Sequence, residues 1–228
     1  MKQLVTTAII LSRTDYGEAD RIISILTPDF GKLSLMAKGV RRVKSKLAGG
    51  IELFSVSEIT FIKGRGEVGT LVSTRLLKHY ELIVKDLNRT MLGYELIKRL
   101  NRATEDEPEE AYFNVLRDTF EALNDHSVSI DLIRFWFAVQ VMRLDGYTPN
   151  LLTDTNGDKL LQDQRYDFVI EQMTFALTPE TGRYSAMHIK FLRLAFAGNT
   201  ARTLTKVQGY EELLDKCVPL INSMENSR

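Results

Sequence analysis

Five basic side chains lie within nine residues of the stretch AKGVRRVKSKLAGG, residues 37–50, and no acidic residue offsets them. Ammonium and guanidinium groups at this density can bind the phosphate oxygens of a nucleic acid. A run of charges is also what a solvated loop contains, so composition alone leaves both interpretations open. The five cations are Lys38, Arg41, Arg42, Lys44 and Lys46.

The charge of the chain is balanced overall but divided unevenly. Thirty Lys and Arg cancel thirty Asp and Glu among 228 residues. Residues 1–80 nevertheless carry 13 basic and 7 acidic residues, a net charge of +6, and residues 81–228 carry 17 and 23, a net charge of −6. Lys63 and Arg65 add a second basic tip to the N-terminal part. This asymmetry favours nucleic-acid binding by residues 1–80.

Motifs of the common enzyme classes are absent from the sequence. There is no phosphate-binding glycine loop with Lys, no H-E-x-x-H and no G-x-S-x-G. His79, His126 and His188 have no second ligand at a metal-binding interval, so we predict surface or capping roles. Cys217, the single cysteine, excludes a disulfide framework and predicts a half-buried structural thiol. We therefore predict a protein that is not an enzyme and has no cofactor and no metal.

Two periodicities indicate the elements that position the basic side chains. Alternating Val-, Ile-, Thr- and Phe-rich segments predict five strands, which fit an OB-fold barrel, although an SH3-like barrel fits the strand count nearly as well. Helical periodicity follows, interrupted near residues 153–181 by RYDFVI and MTFAL, which predict a hairpin. The predicted strands are 4–13, 21–26, 32–38, 53–63 and 68–77, and the predicted helices are 86–102, 111–123, 130–144, 185–197 and 210–224.

The predicted fold class is therefore α+β, with an OB-fold barrel at residues 1–80 and a mainly helical domain at 81–228 that carries the small β-hairpin. Cationic loops on a small barrel suit single strands, because charges contact phosphates and aromatic rings stack on bases. Tyr16, Phe30, Phe54 and Phe61 are available in the barrel, although we expect most of them in its core.

Targeting and membrane signals are missing. The start MKQLVTTAIILSR lacks the charge pattern and the small-residue cleavage site of a signal peptide. No window approaches the roughly 18 apolar residues that span a bilayer. With one cysteine, these features predict a soluble protein of the cytoplasm without a membrane partner.

A longer pattern in the N-terminal part is specific in both order and spacing. It comprises a first strand ending near an Arg, then YGE, a strand leading into TP..GK, and the block AKGxRRxKS. This pattern resembles the N-terminal domain of the RecO family of bacterial recombination mediators. A weaker resemblance continues through RLDGYTPNL at residues 143–151 and TPETG at 178–182. The matching positions are Arg13, Tyr16, Gly17, Glu18, Thr27, Pro28, Gly31, Lys32, Ala37, Lys38, Gly39, Arg41, Arg42, Lys44 and Ser45.

The resemblance implies a DNA repair and recombination protein located in the bacterial cytoplasm and associated with the nucleoid. Such a protein would bind single- and double-stranded DNA, anneal complementary strands, and load recombinase with RecR onto DNA coated by single-strand DNA-binding protein. Arg13 then joins the block and the second basic tip as a candidate DNA-binding residue.

The resemblance also implies that the acidic, apolar tail of single-strand DNA-binding protein docks on the helical domain. Such a tail needs a cation beside an apolar groove. Arg134 and Arg143 are our candidates, because they lie in the aromatic segment IDLIRFWFAVQVMRL. The alternative is that the apolar side chains are all core and both arginines are solvated. The apolar side chains in question are Phe135, Trp136, Phe137 and Met142.

One departure from the family concerns zinc. Many relatives carry a four-cysteine zinc element in the hairpin region, whereas residues 150–183 contain no cysteine. We therefore predict no zinc here and expect Phe168, Ile170 and Phe175 to hold the hairpin by packing.

Two alternatives from other functional classes remain. The chain could be an OB-fold RNA-binding protein, which contacts to the 2′-hydroxyl would distinguish. It could instead be an adaptor whose helical domain binds proteins and whose barrel touches nucleic acid incidentally.

Overall fold

A computed structural model describes residues 2–64, 66–103 and 110–227. The chain forms two compact units, Met1–Asp125 and His126–Arg228. Within the described residues, the first unit contains five strands and three α-helices, and the second contains helices and a small sheet. The α+β class and the N-terminal five-stranded OB-like sheet are confirmed. The division of roles between residues 1–80 and 81–228 stays a prediction.

All five strands of the first unit lie where the alternation predicts them. They pair in the cyclic order β1-β2-β3-β5-β4, and the pairing of β1 with β4 closes the barrel. Every pair is antiparallel except β3 with β5. The strands are β1 Gln3–Tyr16, β2 Asp20–Thr27, β3 Gly31–Ala37, β4 Ser55–Ile62 and β5 Val68–His79.

The barrel core is filled by the alternate residues of these strands. Ile10, Ile25 and Phe61 are among the fully buried side chains of this core. Ile9 and Leu26 are paired across β1 and β2 and are also buried, although Ile9 is on the opposite face to Ile10. The first two strands are thus apolar on both faces because helices of the same unit contact them.

Three helices complete the first unit, namely α1 Glu81–Val84, α2 Leu87–Ala103 and α3 Glu110–Leu123. Helix α1 was not predicted. The Phe54 ring packs edge-on against Tyr94 and Phe120, with ring centroids 5.2 and 5.5 Å apart. Gly93 permits this contact, since a Cβ there would lie 2.5 Å from Phe54. The helices are therefore fastened to the segment before β4 by an aromatic cluster.

A buried arginine joins α2 to the end of α3. Arg89 is 5% exposed, and its Nη1 donates to the carbonyl oxygens of Leu123 at 2.9 Å and Asp125 at 3.2 Å. The last carbonyls of a helix have no partner within that helix. Arg89 therefore supplies a cation and hydrogen-bond donors where α3 needs them.

The second unit contains α4 Ile130–Leu144, α5 Ala186–Phe196, α6 Ala201–Leu204 and α7 Tyr210–Asn226. Helix α4 has the predicted bounds, and ten of its 15 residues are buried. The Trp136 indole donates to the carbonyl oxygen of Asn199 at 2.5 Å, and Gln140 Nε2 donates to that of Ala195 at 2.8 Å. The two buried polar side chains of α4, Trp136 and Gln140, thus both donate to backbone carbonyl oxygens.

The predicted hairpin is present and gains a third strand. Its strands are β6 Arg165–Val169 and β7 Thr174–Leu177, and the short β8 Tyr184–Ser185 pairs with β6. The Phe175 ring is fully buried between the rings of Phe168 and Tyr184, at centroid distances of 5.0 and 5.6 Å. Aromatic packing therefore holds this sheet together. No helix within the described ranges is long and apolar enough to cross a membrane.

Candidate nucleic-acid interface

The basic loop, residues 38–50, connects β3 to the segment before β4 and is attached to the barrel at both ends. At its start, Gly39 N donates to Asp20 Oδ1 at 2.7 Å, and Arg41 N donates to Ala19 O at 2.9 Å. Val40 is buried near this end, and Ile51 is buried just beyond the other. The loop is therefore held against the turn between β1 and β2.

Successive turns order the middle of the basic loop. Arg42 N donates to Gly39 O at 3.1 Å, and Ser45 N donates to Arg42 O at 2.9 Å. A 3-10 helix follows at Ala48–Gly50. Gly50 fits closely over β5, because a Cβ there would lie 2.4 Å from Thr74. These contacts hold the basic loop in a defined conformation on the barrel surface.

The cations of the basic loop all point to solvent, as the sequence pattern predicts. Four of them make no ion pair with any part of the chain that the structure describes, and these are Lys38, Arg42, Lys44 and Lys46. Unpaired exposed cations on an ordered loop can contact phosphates without breaking an existing interaction.

Arg41, the fifth cation, is already engaged by a carboxylate. Its Nε lies 3.5 Å from Asp15 Oδ2, and the Arg21 Nε donates to Asp15 Oδ1 at 2.8 Å. The Arg21 hydrogen bond and the Arg41 charge hold the pKa of Asp15 below its ordinary value. Arg21 was not among the predicted site residues, although Asp15 and Arg21 are direct cross-strand partners.

Arg13 lies next to the basic loop but is also paired. Its Nη1 donates to Glu52 Oε2 at 2.7 Å, and Glu52 lies just before β4. The structure therefore brings Arg13 and the five cations of the basic loop to one end of the barrel, with two of the six held by carboxylates.

The second basic tip lies elsewhere. Lys63 Nζ is 5.2 Å from the centroid of the Phe30 ring, in the turn between β2 and β3. The basic loop contacts the turn between β1 and β2 instead, and β2 separates these turns by eight residues, or roughly 25 Å. Lys63 is thus separate from the loop that it was predicted to supplement. Arg65 lies outside the described residues.

Only one of the four candidate stacking rings is open to solvent. Tyr16 is 55% exposed and ends β1, two residues before Glu18 in the turn against which the basic loop is held. Phe54 and Phe61 are buried in the core, and Phe30 is half-buried. Tyr16 is therefore the one ring among these four that is exposed enough to stack on a base.

The predicted partner site on α4 is only partly at the surface. Arg134 is exposed, and Arg143 is half-buried, with its Nε donating to Gln140 Oε1 at 3.1 Å. The apolar side chains of the same segment do not form an open groove, because each is at most 2% exposed. They are Phe135, Trp136, Phe137 and Met142. The alternative that they are core residues is the one that the structure shows.

His79 and His126 are exposed, whereas His188 and Cys217 are buried. His188 Nδ1 accepts from Ser185 N at 3.2 Å at the start of α5, as the capping prediction requires, and burial lowers the pKa of His188. Cys217 is fully buried rather than half-buried, and burial raises the pKa of its thiol to about 12. Within the residues that the structure describes, no group of three or more His, Cys, Asp or Glu side chains could hold a metal ion.

Residues 1–80 match the family model described as Recombination protein O N terminal. A DNA repair protein RecO from Dehalococcoides mccartyi is 33% identical over 163 residues, which cover 71% of this chain and 64% of that protein. One from Roseiflexus is 35% identical over 64% of this chain and 51% of that protein. One from Syntrophus aciditrophicus is 29% identical over 86% of this chain and 85% of that protein.

The matched region is shorter than several of the relatives. The alignment spans less than two thirds of the Dehalococcoides and Roseiflexus proteins. The basic loop, Arg13 and Lys63 all lie within the part that the family model matches.

Proposed function

We propose that this chain, which is similar to RecO proteins over most of its length, acts in DNA repair and recombination by binding single- and double-stranded DNA and annealing complementary strands. The observation that carries this proposal is the ordered basic loop, which presents unpaired cations and is held against the turn between β1 and β2. The exposed Tyr16 ends β1, directly before that turn. Both groups lie on an OB-like barrel, an architecture that binds oligonucleotides in other proteins.

The chemistry of such an interface is electrostatic. Each Lys or Arg that contacts a phosphate releases condensed counterions, and this release favours binding to any sequence. Phosphate contacts orient the strand but carry no base information, so we expect little sequence preference. Cations placed between two backbones also screen their repulsion, which would allow complementary strands to approach each other and pair.

The proposal includes no catalytic step. Annealing by charge screening needs neither nucleotide hydrolysis nor a bound metal. We further propose RecR and single-strand DNA-binding protein as partners in loading recombinase, with Arg134 as the exposed cation that meets the acidic tail of the latter. Cytoplasmic, nucleoid-associated localisation belongs to the same proposal.

The test is the annealing of complementary strands coated with single-strand DNA-binding protein. We expect this chain to speed annealing without ATP and in the presence of a chelator. An absolute requirement for nucleotide hydrolysis would contradict the proposal. A single-stranded RNA competitor of the same sequence gives the control for the RNA-binding alternative, because preferential displacement by RNA would favour that function instead.

A second candidate function, that of a protein-binding adaptor, is favoured by one observation on α2. Leu87, Met91 and Tyr94 lie on one face of this helix and are 74%, 62% and 50% exposed. A row of this kind is more typical of a protein-binding surface than isolated apolar residues are. Replacing Leu87 and Met91 by Ser should then abolish binding to purified RecR while DNA affinity is kept. Unchanged binding to RecR would remove the support for this function.

A further inference from the structure

The middle of the basic loop carries an apolar side chain at its most exposed point. Val43 is 103% exposed, which is as open as in an isolated peptide, whereas Leu87 follows among the described large apolar residues at 74%. Arg42 and Lys44 flank Val43 in the sequence, and neither makes an ion pair with a described residue. An apolar group thus lies between two cations that are free to bind phosphate.

The exposure of Val43 does not come from a loosely attached loop. Its neighbour Arg42 both donates to Gly39 O and accepts from Ser45 N, so the turn around Val43 is closed by backbone hydrogen bonds. Val40 on one side and Leu47 on the other pack against the barrel core. The fold therefore buries the apolar residues on each side of the turn and directs Val43 outward.

A β-branched side chain in this setting suits one class of partner surface. Proteins that deform nucleic acid insert apolar side chains between base steps, while nearby cations hold the phosphates. Apolar side chains also pack against the methyl group of thymine. Both contacts need an exposed apolar group close to cations that hold the phosphates, and both gain from the removal of apolar surface from water.

We propose that Val43 is a base-contacting wedge, which packs against or between bases once the flanking cations have bound the phosphates. This inference rests on the proposed function, because it requires that the basic loop contact DNA. It adds a contact that does not depend on salt, and it gives the loop a preference for bases that are unstacked or easily unstacked. Single strands present such bases before they anneal.

The test compares Val43→Ser with Val43→Leu in the full chain. Val5→Ser is the matched control, because Val5 is an exposed valine near the opposite end of the barrel, paired with Thr60 on β4.

Binding to a single-stranded oligonucleotide is measured by fluorescence anisotropy at several salt concentrations. We expect Val43→Ser to lower affinity by up to about tenfold at every salt concentration, which is the gain from burying one valine side chain. The slope against salt should stay unchanged, since no phosphate contact is lost.

A second measurement reports on the bases directly. An oligonucleotide containing 2-aminopurine fluoresces more strongly when that base is unstacked. The native chain, Val43→Leu and Val5→Ser should all raise this fluorescence, whereas Val43→Ser should not. Thermal melting should be alike for all of them, because each substituted side chain is exposed.

The outcomes separate this inference from the function on which it rests. If the native chain shows no salt-dependent binding, the proposed function fails and the wedge fails with it. If binding is salt-dependent but Val43→Ser matches the native chain in affinity and fluorescence, the wedge alone is overturned. Binding to vesicles of phosphatidylglycerol that depends on Val43, without any effect on DNA, would assign the residue to a lipid surface and would also overturn the wedge.

Discussion

The guanidinium group of Arg13 donates a hydrogen bond to the carboxylate of Glu52, with 2.7 Å between Nη1 and Oε2. These residues are 39 positions apart, and both lie beside the basic loop. A DNA phosphate that binds Arg13 must therefore compete with Glu52, as a phosphate at Arg41 must compete with Asp15. The carboxylates lower the number of cations that are immediately available on the proposed interface.

Removal of the Glu52 charge should strengthen DNA binding. In Glu52→Gln, Arg13 is freed for one further phosphate contact, so the salt slope should steepen by about 0.7 for single strands. Anisotropy titrations at several salt concentrations measure this slope. Glu58→Gln is the matched control, because Glu58 forms a similar exposed pair with Arg75, which is not one of the proposed DNA-binding cations. Equal effects of the two variants would show that only net charge matters.

Removal of the basic loop's charge should do the opposite. Replacing Lys38, Arg41, Arg42, Lys44 and Lys46 by Gln should flatten the salt slope for single strands by about 3.5 if all five contact phosphate. Thermal stability should hardly change, because exposed cations contribute little to folding. Replacing Lys159 and Lys206, exposed cations of the second unit, provides the control. A five-fold variant that keeps both affinity and slope would exclude the loop, and Lys63 would become the next candidate.

Charge reversal at Arg134 should separate protein binding from DNA binding. Arg134→Glu places a carboxylate where we expect the acidic tail of single-strand DNA-binding protein, so affinity for a tail peptide should fall by tenfold or more. Affinity for naked DNA should be kept, because the proposed interface is in the first unit. Isothermal titration calorimetry measures the affinity for the tail peptide, and fluorescence anisotropy measures the affinity for naked DNA. Lys206→Glu makes the same charge change elsewhere, and unchanged peptide affinity in Arg134→Glu would place the tail at another site.

Arg89 should matter for stability rather than for binding. Arg89→Met leaves the carbonyls at the end of α3 without their buried donor, and we expect unfolding to become easier by about 2–3 kcal/mol. Urea denaturation followed by circular dichroism measures this difference. Arg75→Met removes an exposed arginine that is paired with Glu58, and it should cost less than about 1 kcal/mol. Equal losses in the two variants would contradict the capping role of Arg89.

His188 should make stability depend on pH in the mildly acidic range. Burial, with the charges of Lys216 and Arg165, lowers the pKa of His188 in the folded chain below its ordinary value of about 6.5. As the pH falls, His188 therefore binds a proton in the unfolded chain before it does so in the folded chain. The contribution of His188 to stability is complete above about pH 6.5 and is lost as the pH falls through the lower pKa of the folded chain. A protonated ring also cannot accept from Ser185 N through Nδ1.

The measurement is the free energy of unfolding between pH 5 and pH 8, for the native chain and for His188→Gln. The native chain should lose more stability than the variant as the pH falls below about 6.5. His126→Gln is the control, since His126 is exposed. Parallel pH profiles for the native chain and His188→Gln would contradict the assignment.

Local pattern was sufficient for most of the elements. Alternation placed all five barrel strands, and helical periodicity placed α4 at its observed bounds, because both signals depend on residues a few positions apart. The cationic character of the basic loop and the absence of cysteine from residues 150–183 are also properties of the sequence itself. The elements that were missed, α1, α6 and β8, are too short to show a period.

The tertiary structure decided which of the candidate residues lie together and which are available. It paired Arg13 with Glu52 and Arg41 with Asp15, and it placed Lys63 at the far end of β2 from the basic loop. It also buried Trp136, for which the sequence had left both a groove position and a core position open. Each of these outcomes depends on contacts between segments that are distant in the chain. The residues that the fold brings close determine whether a side chain is buried or a charge is paired, and the residue's own type does not.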